Sequence, residues 1–404
     1  MKKEVYITDY NCITPLGFDV SSNWNALVEG KSGVGLHKII ENQKPFYASM
    51  IDSEKLDNEF NIFFDSPQKS EIQRLANDNM SFTRLEKMFL LSLKPLVERH
   101  LISEETALIL STTKGNISLL KNQETLPESV FLSNLAQKLA DFFVFLSNLA
   151  QKLADFFGFQ TKPIVVSNAC VSGVMAISVA KNMILAGKYK DAFVVAGDEI
   201  SEFVISGFNS FQAIGTKICK PYDKNRDGIN IGEAAAAVYI TSKRDENEKF
   251  SFKILGDSAI NDANHISGPS RTGDGLFASI NNAMTEAQLS AEKIDFISAH
   301  GTATIYNDEM EAIAFNRMNL QNIPLHSLKA YYGHCLGASG LLESIISMES
   351  ALKNTLIPSK NFEETGTSQP LNIIRENQST EIKYILKTAS GFGGCNAAIV
   401  LEKC

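Results

Sequence analysis

Ile164-Val165-Val166-Ser167-Asn168-Ala169-Cys170-Val171-Ser172-Gly173-Val174-Met175-Ala176-Ile177 reads in order as an apolar run, a polar turn and a helix of small residues. The run is too short and too uniformly apolar to be amphipathic, so it reads as a buried strand. Six further runs read the same way: Glu4–Ile7, Ala107–Leu110, Ala192–Ala196, Asp295–Ser298, Tyr384–Lys387 and Ala398–Leu401. Amphipathic or small-residue stretches alternate with them, at Leu85–His100, Val174–Ala186, Gly273–Leu289, Asp308–Asn316 and Leu341–Leu352. That alternation predicts α/β layers around a largely buried sheet.

A second stretch echoes the first. Leu325 to Ile345, LHSLKAYYGHCLGASGLLESI, again runs strand, turn and small-residue helix. Cys170 stands three residues before Gly173, and His334 three residues before Gly337. The echo suggests two related halves with a reactive side chain at each of two equivalent helix N-termini. The charged break Ser242–Asn247 is the expected seam, giving an N-terminal half at 1–245 with Cys170 and a C-terminal half at 246–404 with His300, Lys329 and His334.

The chain has 404 residues, but residues 130–143 and 144–157 are the same 14-residue segment, VFLSNLAQKLADFF, written twice. Counted once, the segment leaves 404 − 14 = 390 residues, and either length exceeds one typical core and suits two domains or one large fused fold. Fourteen residues at about 100° each fall about 40° short of four full turns. A continuous helix through both copies therefore keeps a nearly coherent apolar face, with Phe131, Leu135, Leu139 and Phe143 followed by Phe145, Leu149, Leu153 and Phe157. Equally, one copy packs while the other bulges out, or the second copy is foreign to the natural chain.

Composition narrows the function. Hydrophobic residues at 44% and charged residues at 21% fit a globular protein, and a net charge of −8 argues against general nucleic-acid binding. No apolar stretch approaches the roughly 20 residues of a membrane span, and the N-terminus lacks a signal-peptide core. A cytoplasmic protein is expected. Six cysteines without CxxC spacing argue against a disulfide framework and a zinc site.

Four constellations carry chemistry. A thiol at a helix N-terminus sees the positive end of the macrodipole, which favours thiolate, so Cys170 reads as an activated nucleophile rather than an inert core cysteine. His300 follows the strand Asp295–Ser298 and is followed by Gly301, Thr302 and Thr304, with Asp308 and Glu311 on the next helix. Lys329 precedes the glycine-flanked His334 inside an apolar segment, where a half-buried ammonium needs a counter-charge; Glu311 is the expected partner. Finally, Ser390-Gly391-Phe392-Gly393-Gly394 forms a backbone able to approach a ligand and donate N–H groups.

With these residues together, the chain resembles the β-ketoacyl-[acyl-carrier-protein] synthases of the KAS I/II type, in the thiolase-like superfamily. The likeness runs nearly end to end, through SNACVSG, KPYDKNRDGINIGEAAAAVYI, HGTATIYNDEME, SLKAYYGHCLGASGLLE and SGFGGCNAAIVLE. It implies a five-layer αβαβα thiolase-like fold built from two related halves. It implies decarboxylative Claisen condensation of an acyl thioester on Cys170 with malonyl carried by acyl carrier protein, in fatty acid or related polyene or polyketide biosynthesis. By the same resemblance, His300 and His334 assist decarboxylation and hold the enolate. Lys329 and Glu311 poise the histidines, with Asp308 in support. The N–H groups of Cys170 and Phe392 form the oxyanion hole, and Phe392 gates the acyl pocket. The implied partners are acyl carrier protein, docking on a local basic face, and a second copy of the chain or a homologous subunit. No metal and no cofactor are implied beyond substrates carried on phosphopantetheine.

The resemblance also places one helix where the duplicated segment stands. Ile229, Ala234 to Ala237, Cys335, Cys395 and the loop His265–Gly275 depart from the family pattern and are expected to bear on substrate range without touching the catalytic residues. Two other readings weigh against this one. A thiolase uses a second cysteine as base, for which only Cys395 is placed; a chain-length-factor homologue lacks the nucleophile, although a catalytic subunit needing such a partner fits.

Overall fold

The buried runs become strands in a computed structural model of the chain, which describes residues 3–38, 44–64, 81–118, 146–244, 250–262 and 268–404. The first half supplies β1 (Tyr6–Ile13), β2 (Thr106–Ser111), β3 (Ile164–Val166), β4 (Asp191–Asp198) and β5 (Ala234–Thr241). The second supplies β6 (Phe252–Asn261), β7 (Phe296–Ser298), β8 (Leu325–His326), β9 (Tyr384–Gly391) and β10 (Cys395–Lys403). They lie in the order β8-β7-β9-β10-β6-β1-β5-β4-β2-β3.

That order is one pattern used twice. Counting strands within each half, both run third, second, fourth, fifth, first. The senses match as well: the second strand pairs in parallel with the third and fourth, and the fifth is antiparallel to the fourth and first. The halves meet along a short antiparallel contact, Tyr6 with Lys253 and Ile7 with Phe252. The faint echo in the sequence is thus an internal repeat of topology.

Helices complete five layers. α1 (Arg84–Arg99) covers the outer face of the first half against β5, β1 and β4, and its start is fixed by a reciprocal cap between Thr83 and Glu86. α3 (Asp274–Ala287) covers the outer face of the second half against β6 and β10 and touches α4 (Ile305–Arg317). Between the two strand layers lie α2 (Ser172–Leu185) and α5 (Ser339–Leu352), which pack on each other and on strands of both halves. A helix enclosed by neighbours cannot carry a polar stripe, which is why both are mostly small and apolar, the buried Lys181 of α2 and Glu343 of α5 each being ion-paired.

Glycine sets how closely the central helices cross. A Cβ at Gly173 would lie 2.7 Å from Leu341 N and 2.8 Å from Gly337 O, and one at Gly340 would lie 2.9 Å from Val174 N. The backbones therefore touch near their N-terminal ends. The turns that precede them, one ending in Cys170 and the other in His334, are drawn together.

β5 and β6 were not among the expected strands. β5 hides in an alanine run, a residue with little strand preference. Ala234 to Ala237 are fully buried, and their small side chains let α1 and α5 approach opposite faces of the strand. Residues 245–247 of the expected seam lie outside the described residues, as do 265–267 of the loop before α3 and the whole first copy of the duplicated segment. In the second copy, residues 146–157 are helical. The buried face there is Leu146, Leu149, Ala150, Leu153, Ala154 and Phe156, so Phe156 rather than Phe157 is its deepest ring. It packs with Leu85, Phe89 and Leu93 of α1.

Candidate active site

Cys170 ends a strained turn. Ala169 has φ 44°, a left-handed conformation that costs a non-glycine residue about 1–3 kcal/mol. Ser172 ties the turn: its Oγ accepts from Asn168 N at 2.7 Å and donates to Ala169 O at 2.6 Å. The glycine loop at the end of β9 lies directly against it, since a Cβ at Gly391 would sit 3.0 Å from Cys170 N. The Phe392 N–H donates to the Cys170 thiol.

The resting thiol is protonated, contrary to the expected thiolate. Burial pushes Cys170 up to about 12, against the pull of the Lys329 charge and the Phe392 N–H. A rise of that size from 9 corresponds to about 4 kcal/mol. A helix N-terminus supplies at most about 2 kcal/mol in the other direction. Desolvation outweighs it.

The structure brings the three expected reactive side chains together. The reactive atoms of Cys170, His300 and His334 lie within 4.8 Å of one another, and all three residues are buried. The imidazoles meet edge to face with ring centroids 5.1 Å apart. Burial, followed by the charge of Lys329, holds both well below the ordinary histidine value, so both are neutral. Leu336 N donates to His334 Nδ1 at 3.2 Å. A backbone N–H can only donate, so Nδ1 is an acceptor and the ring proton sits on Nε2. His300 Nδ1 has no hydrogen-bond partner among the described residues.

Lys329 does not pair with Glu311. Its Nζ contacts Glu343 Oε1 on α5, and Lys387 of β9 takes the other oxygen of the same carboxylate at 2.7 Å. All three side chains are buried. Glu311 is occupied elsewhere. Its carboxylate accepts from His300 N at 2.8 Å, Gly301 N at 2.7 Å, Tyr222 Oη at 2.9 Å and Asn307 Nδ2 at 2.9 Å. Asp308 accepts from Tyr222 N at 2.7 Å and Ala303 N at 3.2 Å. These carboxylates hold the loop that presents His300 by its backbone. Burial pushes Asp308 up to about 7 and raises Glu311 too.

The site opens into a cavity of about 250 Å³. Its aromatic wall is Phe392 stacked on Phe208 at 5.3 Å and edge-on to Phe211 at 5.2 Å. Ile229 lines it, and Cys395 Sγ bonds Asn168 Oδ1 at 2.8 Å in the nucleophile turn, so two of the departures from the family pattern do reach the site. Among the described residues the lining includes Asp227 and Asp262 and no Lys or Arg, so the expected basic face is not the cavity wall itself.

Sequence reasoning missed Glu343 and Lys387. The signal was present in both: a single charge inside an apolar helix, LLESI, and a single charge inside an apolar strand, YILKTAS. It missed Tyr222 as well, an unexceptional residue in PYDKNRDG.

The chain matches the family profile "Beta-ketoacyl synthase, N-terminal domain" over residues 2–246 and "Beta-ketoacyl synthase, C-terminal domain" over residues 252–363. It is 28% identical to the putative mitochondrial 3-oxoacyl-[acyl-carrier-protein] synthase of Schizosaccharomyces pombe over 99% of each chain. It is 27% identical to 3-oxoacyl-[acyl-carrier-protein] synthase 2 of Coxiella burnetii over 100% of this chain and 99% of that one. Among solved structures, the ketosynthase ApeO from Xenorhabdus doucetiae, in complex with its chain length factor, superposes with a TM-score of 0.82 at 24% identity over 100% of this chain and 98% of that one. A beta-ketoacyl synthase from Burkholderia phymatum gives 0.82 at 23% identity over the whole of both chains.

Proposed function

The chain belongs to the beta-ketoacyl synthase family, a 3-oxoacyl-[acyl-carrier-protein] synthase by its curated relatives and hence an acyltransferase, and we propose how its residues divide that reaction. One observation carries the assignment: a thiol and two imidazoles within 4.8 Å of one another on one cavity.

In the first half-reaction Cys170 Sγ attacks an acyl thioester delivered by acyl carrier protein. The oxyanion that forms is held by the N–H groups of Cys170 and Phe392. Collapse expels the phosphopantetheine thiolate, which takes the proton that Cys170 loses. In the second, malonyl carrier protein loses carbon dioxide, and the electron pair of the broken bond becomes an enolate. His334 Nε2–H donates to its oxygen, with His300 beside it. The enolate carbon attacks the acyl group on Cys170, the Cys170 thiolate leaves, and one proton taken up from water restores the thiol. A covalent thioester makes the kinetics ping-pong.

This division explains why the imidazoles are kept neutral. Loss of carbon dioxide generates the carbanion without a strong base, so the site needs donors rather than a proton acceptor. We further propose that the chain forms a dimer through β3, the edge strand at the Cys170 end of the sheet. Sedimentation equilibrium tests that, and a monomer at micromolar concentration rejects it.

The test of the chemistry is intact-mass analysis after exposure to a panel of acyl carrier proteins, with peptide mapping. The expected result is one acyl group, on Cys170. Acylation at another residue, or none with any carrier substrate, overturns the assignment.

A further inference from the structure

Lys387 sits where an ammonium is costly. It is fully buried in the middle of β9, and no carboxylate is dedicated to it, since Glu343 is shared with Lys329. An ammonium has three donors. Here the ammonium forms an ion pair with Glu343 Oε2 at 2.7 Å and donates to Thr388 O at 2.5 Å. It also donates to Ser298 O at 3.2 Å and Ala299 O at 3.4 Å. No donor is left for substrate. What Lys387 grips instead is the backbone of the two residues directly before His300, while its other arm fixes the carboxylate that orients Lys329.

We propose that Lys387 is a positioning residue for decarboxylation: it anchors the strand end that projects His300 and, through Glu343, sets where Lys329 lies. Two ammonium groups on one carboxylate also leave a net positive charge beneath the imidazoles, where the enolate's negative charge develops. The assignment rests on the proposed roles of His300 and His334. The ionisable groups facing the two rings are Cys170 at the start of α2, Lys329, Glu343 on α5, Glu311 and Asp308 on α4, and Lys387 on β9. Burial depresses both imidazoles most; Lys329 and then Lys387 add to it, and removing either cation moves them back up.

The experiment is Lys387→Met in the full chain, with folding checked by near-ultraviolet circular dichroism. Acylation of Cys170 and decarboxylation of malonyl carrier protein are measured separately. The expected result is near-normal acylation and a fall in decarboxylation kcat on the order of a hundredfold, the scale of a misplaced reacting group, with KM unchanged. The acid limb of the pH profile should move to higher pH. In Lys387→Met/Glu343→Gln the net charge is that of the wild type, and the limb should return toward its original position. Should Lys387→Met not fold, Lys387→Gln keeps a donor for Ser298 O without the charge and should show the full limb shift with a smaller kcat loss. A folded variant with wild-type kcat and acid limb, or a loss confined to KM, overturns the role of Lys387. Wild-type protein that never decarboxylates malonyl carrier protein overturns instead the reading beneath it.

Discussion

The two halves share a strand order but not a chemistry, and one rung of the sheet shows the difference. Ser111 ends β2 and pairs with Ala196 and Val166. Ser298 ends β7 and pairs with Lys387 and His326. The rung is Val-Ser-Ala in the first half and His-Ser-Lys in the second. Two residues further along, Thr113 occupies the place of His300. The repeat supplies the geometry twice, with two central helices whose ends meet, and the chain spends it asymmetrically. The first half gives a short apolar strand, a strained turn and Cys170, the proposed nucleophile. The second gives a longer connection holding Lys329 and His334 over a buried ionic triad. Separating the roles lets a thiol protonated by desolvation lie beside donors that need a positive field.

The strongest way to break this comparison is to remove one reactive group from each half. Cys170→Ala should abolish condensation and acyl transfer and retain malonyl decarboxylation, because the donors to the enolate remain. His334→Ala should do the reverse, accepting the acyl group but losing decarboxylation by on the order of a hundredfold to a thousandfold, the usual range for one oxyanion donor. Mass spectrometry reads the first function and carbon dioxide release the second. If both variants lose both functions equally, the halves do not divide the reaction.

Glu343→Gln asks what the second half's triad costs. The substitution leaves Lys329 and Lys387 buried with no carboxylate between them. Breaking a buried pair in this way typically costs about 3–5 kcal/mol. A urea unfolding midpoint near that of the wild type would show that one ammonium is neutral in the folded protein.

Gly173→Ala tests the joint between the halves. Its Cβ would meet backbone atoms of α5 and of the turn before it, so the helices must part, with a typical overpacking cost of about 1–3 kcal/mol. Because the same crossing sets the spacing of Cys170 and His334, condensation should fall by more than either half-reaction alone.

The layers and the turns that bring Cys170, His300 and His334 together were legible in the sequence because each depends on local pattern: an apolar strand, a tight turn and a helix start. The Lys329 partner was not. Glu311 looked suitable as a carboxylate near a histidine in sequence, but its position on α4 turns it toward the backbone N–H groups of His300 and Gly301. Glu343 reaches Lys329 because α5 leads back beneath its own connection, which spacing alone does not reveal. The thiolate expectation failed for a different reason: a helix terminus is visible in sequence, whereas the desolvation that outweighs it belongs to the assembled cavity. β5 escaped because alanine signals close packing by neighbours rather than strand preference.

His326 offers the finest test, because its counterpart in the first half is Val166. Its Nδ1–H donates to Ile357 O at 2.9 Å, while Nε2 has no hydrogen-bond partner among the described residues. Burial lowers its pKa from 6.5 to about 4. Between those values the unfolded chain binds a proton that the folded chain refuses, so stability falls as pH drops from 6.5 toward 4, by about 3 kcal/mol in all from this group. His326→Val gives the second half the first half's residue and removes that dependence. Near pH 7.5 the variant should be less stable by about 1–3 kcal/mol, for the stranded Ile357 carbonyl. Its stability should then decline less steeply than the wild type's on acidification, bringing the two curves together and across. Parallel curves of urea midpoint against pH would mean that His326 does not titrate in this window and that the rung difference has no acid-side cost.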